Sequence, residues 1–328
     1  MDEKIAGLLA QYEVEVYRAG RVKGAWLLDT NEGLKLFGSC LSSEGKIGFE
    51  QSVKQQIKEH GFLNIDSYVP TREGNYLVQG PYNETFVMRD WFLGEECDSQ
   101  NRENIRLTVE TLARLHKSMS GIELSEEMLA FCKQPRLTEL LEKRNRELRR
   151  VRTYIRDKKQ KNAFEQKFLS QFALQYAQAE QATESLNKEA YEAYYKKTVE
   201  QGSVLHGNYT HHSVIFYSDG IAVTGFQKAG TGIQIHDFYL LFRKMMEKWE
   251  WDIALGEEML NAYEKVRTIP KEERELLPVL LSYPEKFWKV ANQYYNNRKS
   301  WIPEKNMQKL IQTMEQAKKK EESIRTLF

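Results

Sequence analysis

The stretch HGNYTHHSVIFYSDGIAVTGFQ, residues 206–227, decides the reading of this chain. Val214-Ile215-Phe216 and Ile221-Ala222-Val223 are short apolar runs, and Ser218-Asp219-Gly220 lies between them. Asp-Gly flanked by apolar runs is a strong short-range hairpin signal, because its backbone tolerates the twist a tight reversal needs. Asp219 therefore reads as a turn residue. A polar loop, His206-Gly207-Asn208, precedes the hairpin, and Ser213 follows Asn208 by five residues. Gly225-Phe226-Gln227 closes the segment as a second turn.

On both sides of this segment the sequence is helical. Downstream, Asp237 opens a run of helices over 239–248, 254–266, 272–282 and 285–297. A Lys/Glu/Gln-rich helix follows, its last residues open to fraying. Upstream, 101–119 places Ile105, Val109, Leu112 and Leu115 on one face. Residues 137–186 are polar and glutamine-rich, with few breakers, and read as one or two long helices. The Arg/Lys-dense part of that run, 143–161 with Arg149 and Arg150, reads as a solvated helix face rather than a site for an acidic partner.

The beginning of the chain has a different texture. A short helix precedes the alternation of 12–16. Residues 25–28 and 34–37 form a hairpin candidate across Asn31-Glu32-Gly33. Residues 49–60 have helical character, ended by Gly61. Two further strands are expected over 76–78 and 86–92, with Gly80-Pro81 as a breaker. The expected fold class is thus α+β and two-lobed. A small β-rich lobe spans residues 1–93, and a helical lobe spans 94–328, interrupted by the hairpin region 206–230.

Composition sets limits on function. The chain has 328 residues, 41% hydrophobic and 29% charged, with net charge +1. That balance fits a folded core and gives no overall pull toward nucleic acid or a membrane surface. No apolar run has spanning length, and no basic segment followed by an apolar one opens the chain, so neither membrane insertion nor a secretory signal is expected. Cys40, Cys97 and Cys132, odd in number and far apart, read as free thiols in a reducing compartment.

Phosphoryl transfer sets the chemical question. It needs a carboxylate to orient the attacking hydroxyl, and an amide oxygen and a second carboxylate to hold magnesium against the phosphates. Residues 206–216 resemble the HGD…N loop of aminoglycoside and choline phosphotransferases. TGFQ resembles their magnesium-binding D-F-[DE] turn, and HDFYLLFRK from His236 resembles the segment that follows. The resemblance implies that Asp237 buttresses the loop. It implies a protein-kinase-like, aminoglycoside phosphotransferase-like fold. WDIALGEEMLNAYEKV and LLSYPEKFWKVANQYYNNRKSW, with Gly33 to Lys35, resemble the CotS/YutH-type spore-coat family.

Against that pattern, three positions differ. Asn208 stands where the catalytic aspartate belongs, and a neutral amide accepts no proton. Ser213 replaces the metal-binding asparagine. Gly225 replaces the magnesium carboxylate and supplies no side chain. Loss of one acid–base group alone costs a factor of about 10²–10⁴. Lys35 matches the strand lysine that contacts phosphates, or is an ordinary exposed strand lysine. Glu50, with Glu59 as competitor, is the helix partner proposed for it. Residues 20–24, GRVKG, have too few glycines for a phosphate-cradling loop.

His211-His212 read as loop histidines, since adjacent side chains diverge and no ligand pattern surrounds them. Phe287, Trp288, Tyr294, Tyr295 and Trp301 read as packing between helices rather than an aromatic box. The family likeness therefore implies a spore-coat structural or interaction protein with a degenerate, pseudokinase-like fold. It implies no metal and no cofactor, or at most weakly held ATP and Mg. Other spore-coat proteins are the implied partners, and the mother-cell cytoplasm and spore coat the implied locations. A divergent ATP-dependent small-molecule phosphotransferase is the alternative, and a ligand-retaining module without turnover is a third reading.

Overall fold

Turn chemistry organises the first strands. The computed structural model describes residues 3–22, 24–132, 134–296 and 303–328. Helix α1 (Glu3–Leu9) leads into β1 (Val16–Val22), β2 (Ala25–Thr30) and β3 (Gly33–Ser39). Gly33, at φ +86°, lets the chain reverse so that Thr30 pairs with Gly33 and Leu28 with Lys35. This is the hairpin that the sequence predicts. β1 escapes such a reading because its five central residues are exposed and no alternation marks it.

Helix α2 (Glu44–Glu59) starts at Ser43, whose side chain accepts from the Lys46 N–H, and Gly61 follows it at φ +91°. Strands β4 (Tyr68–Val69), β5 (Val78–Gln79) and β6 (Thr85–Asp90) complete an antiparallel sheet ordered β1-β2-β3-β6-β4, with β5 also on β6. Leu8, Leu9, Tyr12, Leu28, Phe37 and Met88 form a buried cluster within it. Strand β7 (Gly94–Glu96) leaves that sheet.

Helix α3 (Arg102–Ser118) is capped by Asn101, which accepts from Glu103 and Asn104. Short α4 (Glu126–Leu129) precedes α5 (Leu137–Arg156), α6 (Ala163–Glu184) and α7 (Lys188–Glu200). The long polar stretch is thus two helices, α5 and α6, and α7 follows it. A capping box at Asn162 and Glu165 starts α6. Strands β8 (Val204–Leu205), β9 (Val214–Tyr217), β10 (Gly220–Val223) and β11 (Gly230–Thr231) interrupt the helices. β9 pairs with both β10 and β7, and β8 pairs with β11.

The remainder is helix: α8 (Ile235–Lys248), α9 (Ile253–Glu264), α10 (Lys271–Ser282), α11 (Glu285–Asn296), α12 (Pro303–Glu315) and α13 (Ala317–Leu327). The chain end does not fray: α13 runs to Leu327 and Ser323 is buried. The α+β class, sheet first and helix after, is the expected one. Two compact units result. One comprises Met1–Lys133, Thr198–Leu241 and Ala262–Arg267; the other comprises Gln134–Lys197, Phe242–Asn261 and Thr268–Phe328. The 206–227 segment belongs to the first.

Candidate functional site

The loop after β8 is held from below by one carboxylate. Asp237, in the first turn of α8, is fully buried. Its Oδ2 accepts from the His206 N–H at 2.6 Å and its Oδ1 from the Gly207 N–H at 2.8 Å. The Nε2 of buried His116 lies 3.4 Å from the same Oδ2, and Nδ1 of His116 lies 2.6 Å from the Tyr263 hydroxyl. Gly207, at φ +76°, is required here: a Cβ would lie 2.0 Å from the Lys228 carbonyl oxygen.

His206 fixes the loop's crossing to the hairpin. Its Nδ1 accepts from the Asn208 N–H at 3.2 Å and its Nε2 lies 3.0 Å from the Thr224 carbonyl. Only the neutral ring with the proton on Nε2 satisfies both. Burial, opposed by Asp237, pushes the imidazole below its ordinary value of 6.5. Above pH 6.5 the ring is neutral in folded and unfolded chains alike. Below it the unfolded chain takes up a proton that the native ring refuses, so folding stability falls with acidity. The expected result is a urea midpoint that drops on acidification through this range, with a smaller drop in His206→Gln. Equal drops in both chains would remove His206 as the cause.

The rest of the loop is committed to its own fold. The buried Tyr209 hydroxyl donates to the Thr108 carbonyl at 2.9 Å. Ser213 Oγ accepts from the Thr210 N–H at 2.9 Å and donates to the Thr210 carbonyl at 2.7 Å, closing a capping box around the turn His211–Ser213. Asn208 stands exposed at the loop surface.

The hairpin β9–β10 pairs Tyr217 with Gly220 and Val214 with Val223, and delivers the chain to Gly225 at φ +88°. The Gly225 N–H donates to Asp66 Oδ2 at 3.1 Å. Asp66 precedes β4 and is fully buried, as is Lys54 of α2. Lys54 Nζ lies 3.1 Å from Asp66 Oδ1 and donates to the Asp66 carbonyl at 2.6 Å. Arg89 Nη1 reaches Asp66 Oδ2 at 3.3 Å. Gln227, with its amide oxygen toward Arg89 Nη1 and its nitrogen toward the Gly225 carbonyl, joins the same group. Burial holds the Lys54 ammonium below the ordinary lysine value; Asp66 opposes this and Arg89 adds to it. The ammonium also sits 4.3 Å from the Tyr68 ring centroid and 5.4 Å from that of Phe226.

Lys35 and Glu50 are not brought together as partners. Lys35 stands directly opposite Asp90 in the β3–β6 register, and its Nζ lies 2.8 Å from Asp90 Oδ1 and donates to the Glu32 carbonyl at 2.9 Å. It is buried, not an exposed strand lysine. Glu50 is buried in α2 and accepts from the Tyr68 hydroxyl at 2.7 Å. Desolvation raises its pKa, with Tyr68, Lys54 and Lys46 opposing.

A magnesium fit can be tested on donors alone. Ser213 spends its hydroxyl on Thr210, Gly225 offers no donor, and Asp66 is occupied by two cations and a backbone N–H. Among the described residues no three His, Cys, Asp or Glu side chains converge as a metal site. These residues do not fit the hard, anionic octahedron the ion prefers, and no chemical step is derived through it. His116 and the Lys54–Asp66–Arg89 network are the site residues that sequence reasoning missed. One signal was present: Glu50 and Lys54 recur with Ile47 and Ile57 on the buried face of α2.

The other candidates pack as helices and loops do. Phe287 stacks on Phe168 at 4.9 Å, Tyr294 lies tilted against Phe164 at 5.0 Å, and Trp288 donates to Glu147 at 2.8 Å. Tyr295 meets Tyr154 edge-on. Trp301 lies outside the described residues. His212 Nδ1 contacts Glu96. Cys40, Cys97 and Cys132 are buried free thiols. Arg149 and Arg150 are exposed on α5.

Comparison with known proteins places this geometry. A family model described as "Spore coat putative kinase YutH" matches residues 7–327. The chain belongs to the YutH spore-coat family. It is also 21% identical to spore coat protein S of Bacillus subtilis (strain 168) over 282 residues, 85% of this chain and 80% of that one. Among solved structures, an aminoglycoside phosphotransferase from Alicyclobacillus acidocaldarius superposes with TM-score 0.84 at 18% identity, covering 98% of this chain and 94% of that one. Spectinomycin phosphotransferase APH(9)-Ia gives 0.67 at 11% identity, covering 97% and 98%. The YutH-family chain thus has the aminoglycoside phosphotransferase fold, as its loop and turn imply. Among the described residues no helix is long and apolar enough to cross a membrane.

Proposed function

We propose that this YutH-family chain is a non-catalytic component of the spore coat, acting through surface contacts on a kinase-like frame that no longer transfers phosphate. One observation carries the reading. The two carboxylates bonded to the loop and the turn are both spent on the protein itself: Asp237 on the N–H groups of His206 and Gly207, Asp66 on Lys54, Arg89 and the Gly225 N–H. With Asn208, Ser213 and Gly225 at the three demanding positions, no free carboxylate among the described residues stands where a proton or a metal ion must be held. The frame is stable through its own ion pairs rather than through a bound nucleotide. Other coat proteins are the partners, met in the mother-cell cytoplasm and on the coat, in keeping with the relative named spore coat protein S.

The test is thermal denaturation with ATP, with and without magnesium. A ligand bound only by the native state raises the midpoint. The expected result is no magnesium-dependent increment over ATP alone. Such an increment, or phosphorylation of a small hydroxylated or aminated compound that is lost in Lys35→Ala, would instead support a divergent small-molecule phosphotransferase. The buried Lys35 on β3 is the feature that favours that second reading.

A further inference from the structure

Helix α5 buries one face and leaves the opposite one strongly basic. Leu141, Leu148, Val151 and Ile155 are buried. Arg146, Arg149, Arg150 and Arg152 are exposed. The first three stand at i, i+3 and i+4, so they share one side of the helix, with about 5–6 Å between neighbouring Cβ atoms. Arg152 follows Arg149 by three residues. Its guanidinium carbon lies 5.0 Å from the Phe172 ring centroid on α6, and Phe172 stacks on Tyr176 at 5.1 Å. A guanidinium laid on a ring is held in place while its N–H fork stays open.

These arginines are not balanced from within. Among the described residues none of the four has an ion-pair partner. The two carboxylates within a turn of them on α5 are engaged: Glu142 holds Lys188 at 2.7 Å, and Glu147 accepts from the Trp288 indole at 2.8 Å. Glu180 of α6 is spent on the Tyr176 hydroxyl, which Arg149 also reaches. Like charges three and four residues apart destabilise a helix. Arg146 with Arg149, Arg146 with Arg150, and Arg149 with Arg152 are three such pairs. A face kept only for solvent carries alternating signs that cancel. This one concentrates a single sign on a chain whose net charge is +1.

We infer that the face of α5 carrying Arg146, Arg149, Arg150 and Arg152 docks an acidic segment of a partner protein. Guanidinium forks match carboxylates two bonds at a time. A row of Glu or Asp side chains one helical turn apart meets arginines at this spacing. Nucleic acid fits less well: it is gripped through about 6–10 phosphate contacts, and four arginines on one helix do not supply them. The docking role rests on the reading that the chain works through surface contacts, and adds the surface and the chemistry it recognises.

The probe is a fluorescent Glu/Ala peptide of about 15 residues, long enough to form a helix, titrated with the full chain. Its anisotropy is expected to rise to saturation at low salt, with affinity falling as salt screens the charges. The same peptide with Gln in place of Glu is expected not to bind. In Arg146→Gln/Arg149→Gln/Arg150→Gln affinity is expected to fall about 30-fold, roughly threefold for each exposed pair lost. Should that variant fold poorly by circular dichroism, Arg150→Gln alone is read, with an expected loss of about threefold. The assignment is overturned by a wild-type chain that leaves the Glu peptide unbound, by a Gln peptide that binds as well, or by variants that bind like the wild type. An oligonucleotide of equal charge that binds more tightly overturns it too. A magnesium-dependent shift with ATP would remove the non-catalytic reading without touching peptide binding, and an unbound peptide would leave that reading in place.

Discussion

Asp66→Ala is expected to lower the free energy of unfolding by about 3–5 kcal/mol, the cost of leaving a buried charge without its partner. Lys54 and Asp66 are both fully buried, and their 3.1 Å contact is the counter-charge that lets an ammonium stay inside the protein. Without the carboxylate, burial and Arg89 both drive the Lys54 pKa down, opposed only by Glu50. The Gly225 N–H loses its acceptor at the same time. Lys54→Met is expected to cost less. Asp66 would keep Arg89 and the Gly225 N–H, whereas Lys54 in Asp66→Ala keeps the carbonyl of residue 66 and the Tyr68 and Phe226 rings but no contacting carboxylate. Urea unfolding at neutral pH measures both. An Asp66→Ala cost under about 1 kcal/mol, the range of an exposed pair, would show that the network does not hold the turn. So would an equal or larger cost for Lys54→Met.

That ordering also explains what the sequence could reveal. The loop, hairpin and turn of 206–227 were legible because each is local: Ser218-Asp219-Gly220 bends within its own few residues, and His206-Gly207 announces a loop. The hairpin of β2 and β3 was legible for the same reason. The Lys54–Asp66–Arg89–Gly225 group was not, because it joins positions separated by 12, 23 and 159 residues. Only the helical period offered a clue, in placing Glu50 and Lys54 on an apolar face, and charged residues there must find partners elsewhere. Lys35 shows the complementary failure. Position in the next element points to a helix partner such as Glu50, but the pairing of β3 with β6 puts Asp90 directly across, and a cross-strand ion pair forms instead. Strand β1 lacked any signal strong enough to read, because an edge strand exposed on both faces needs no alternation.

Asp237→Ala is expected to cost about 3–6 kcal/mol, because two buried backbone N–H groups lose a charged acceptor and each such bond contributes about 1.5–3 kcal/mol. The donors are those of His206 and Gly207, at 2.6 and 2.8 Å; His206 is wholly buried, so its N–H has no water to turn to, while Gly207 is half-buried. Asp237→Asn keeps one acceptor oxygen but turns an NH2 group toward the other donor, so it should fall between alanine and wild type. Amide hydrogen exchange at residues 206 and 207, with calorimetry, reads the effect directly. Asn208→Ala makes the comparison that matters for function. Its side chain is exposed at the loop surface, so stability should hardly change. A chain kept for phosphoryl transfer would put its sensitivity at position 208 and show it in turnover. A chain kept as a frame puts its sensitivity at 237 and shows it in folding. Near-native protection of both amides in Asp237→Ala would mean that the loop is held by something other than this carboxylate.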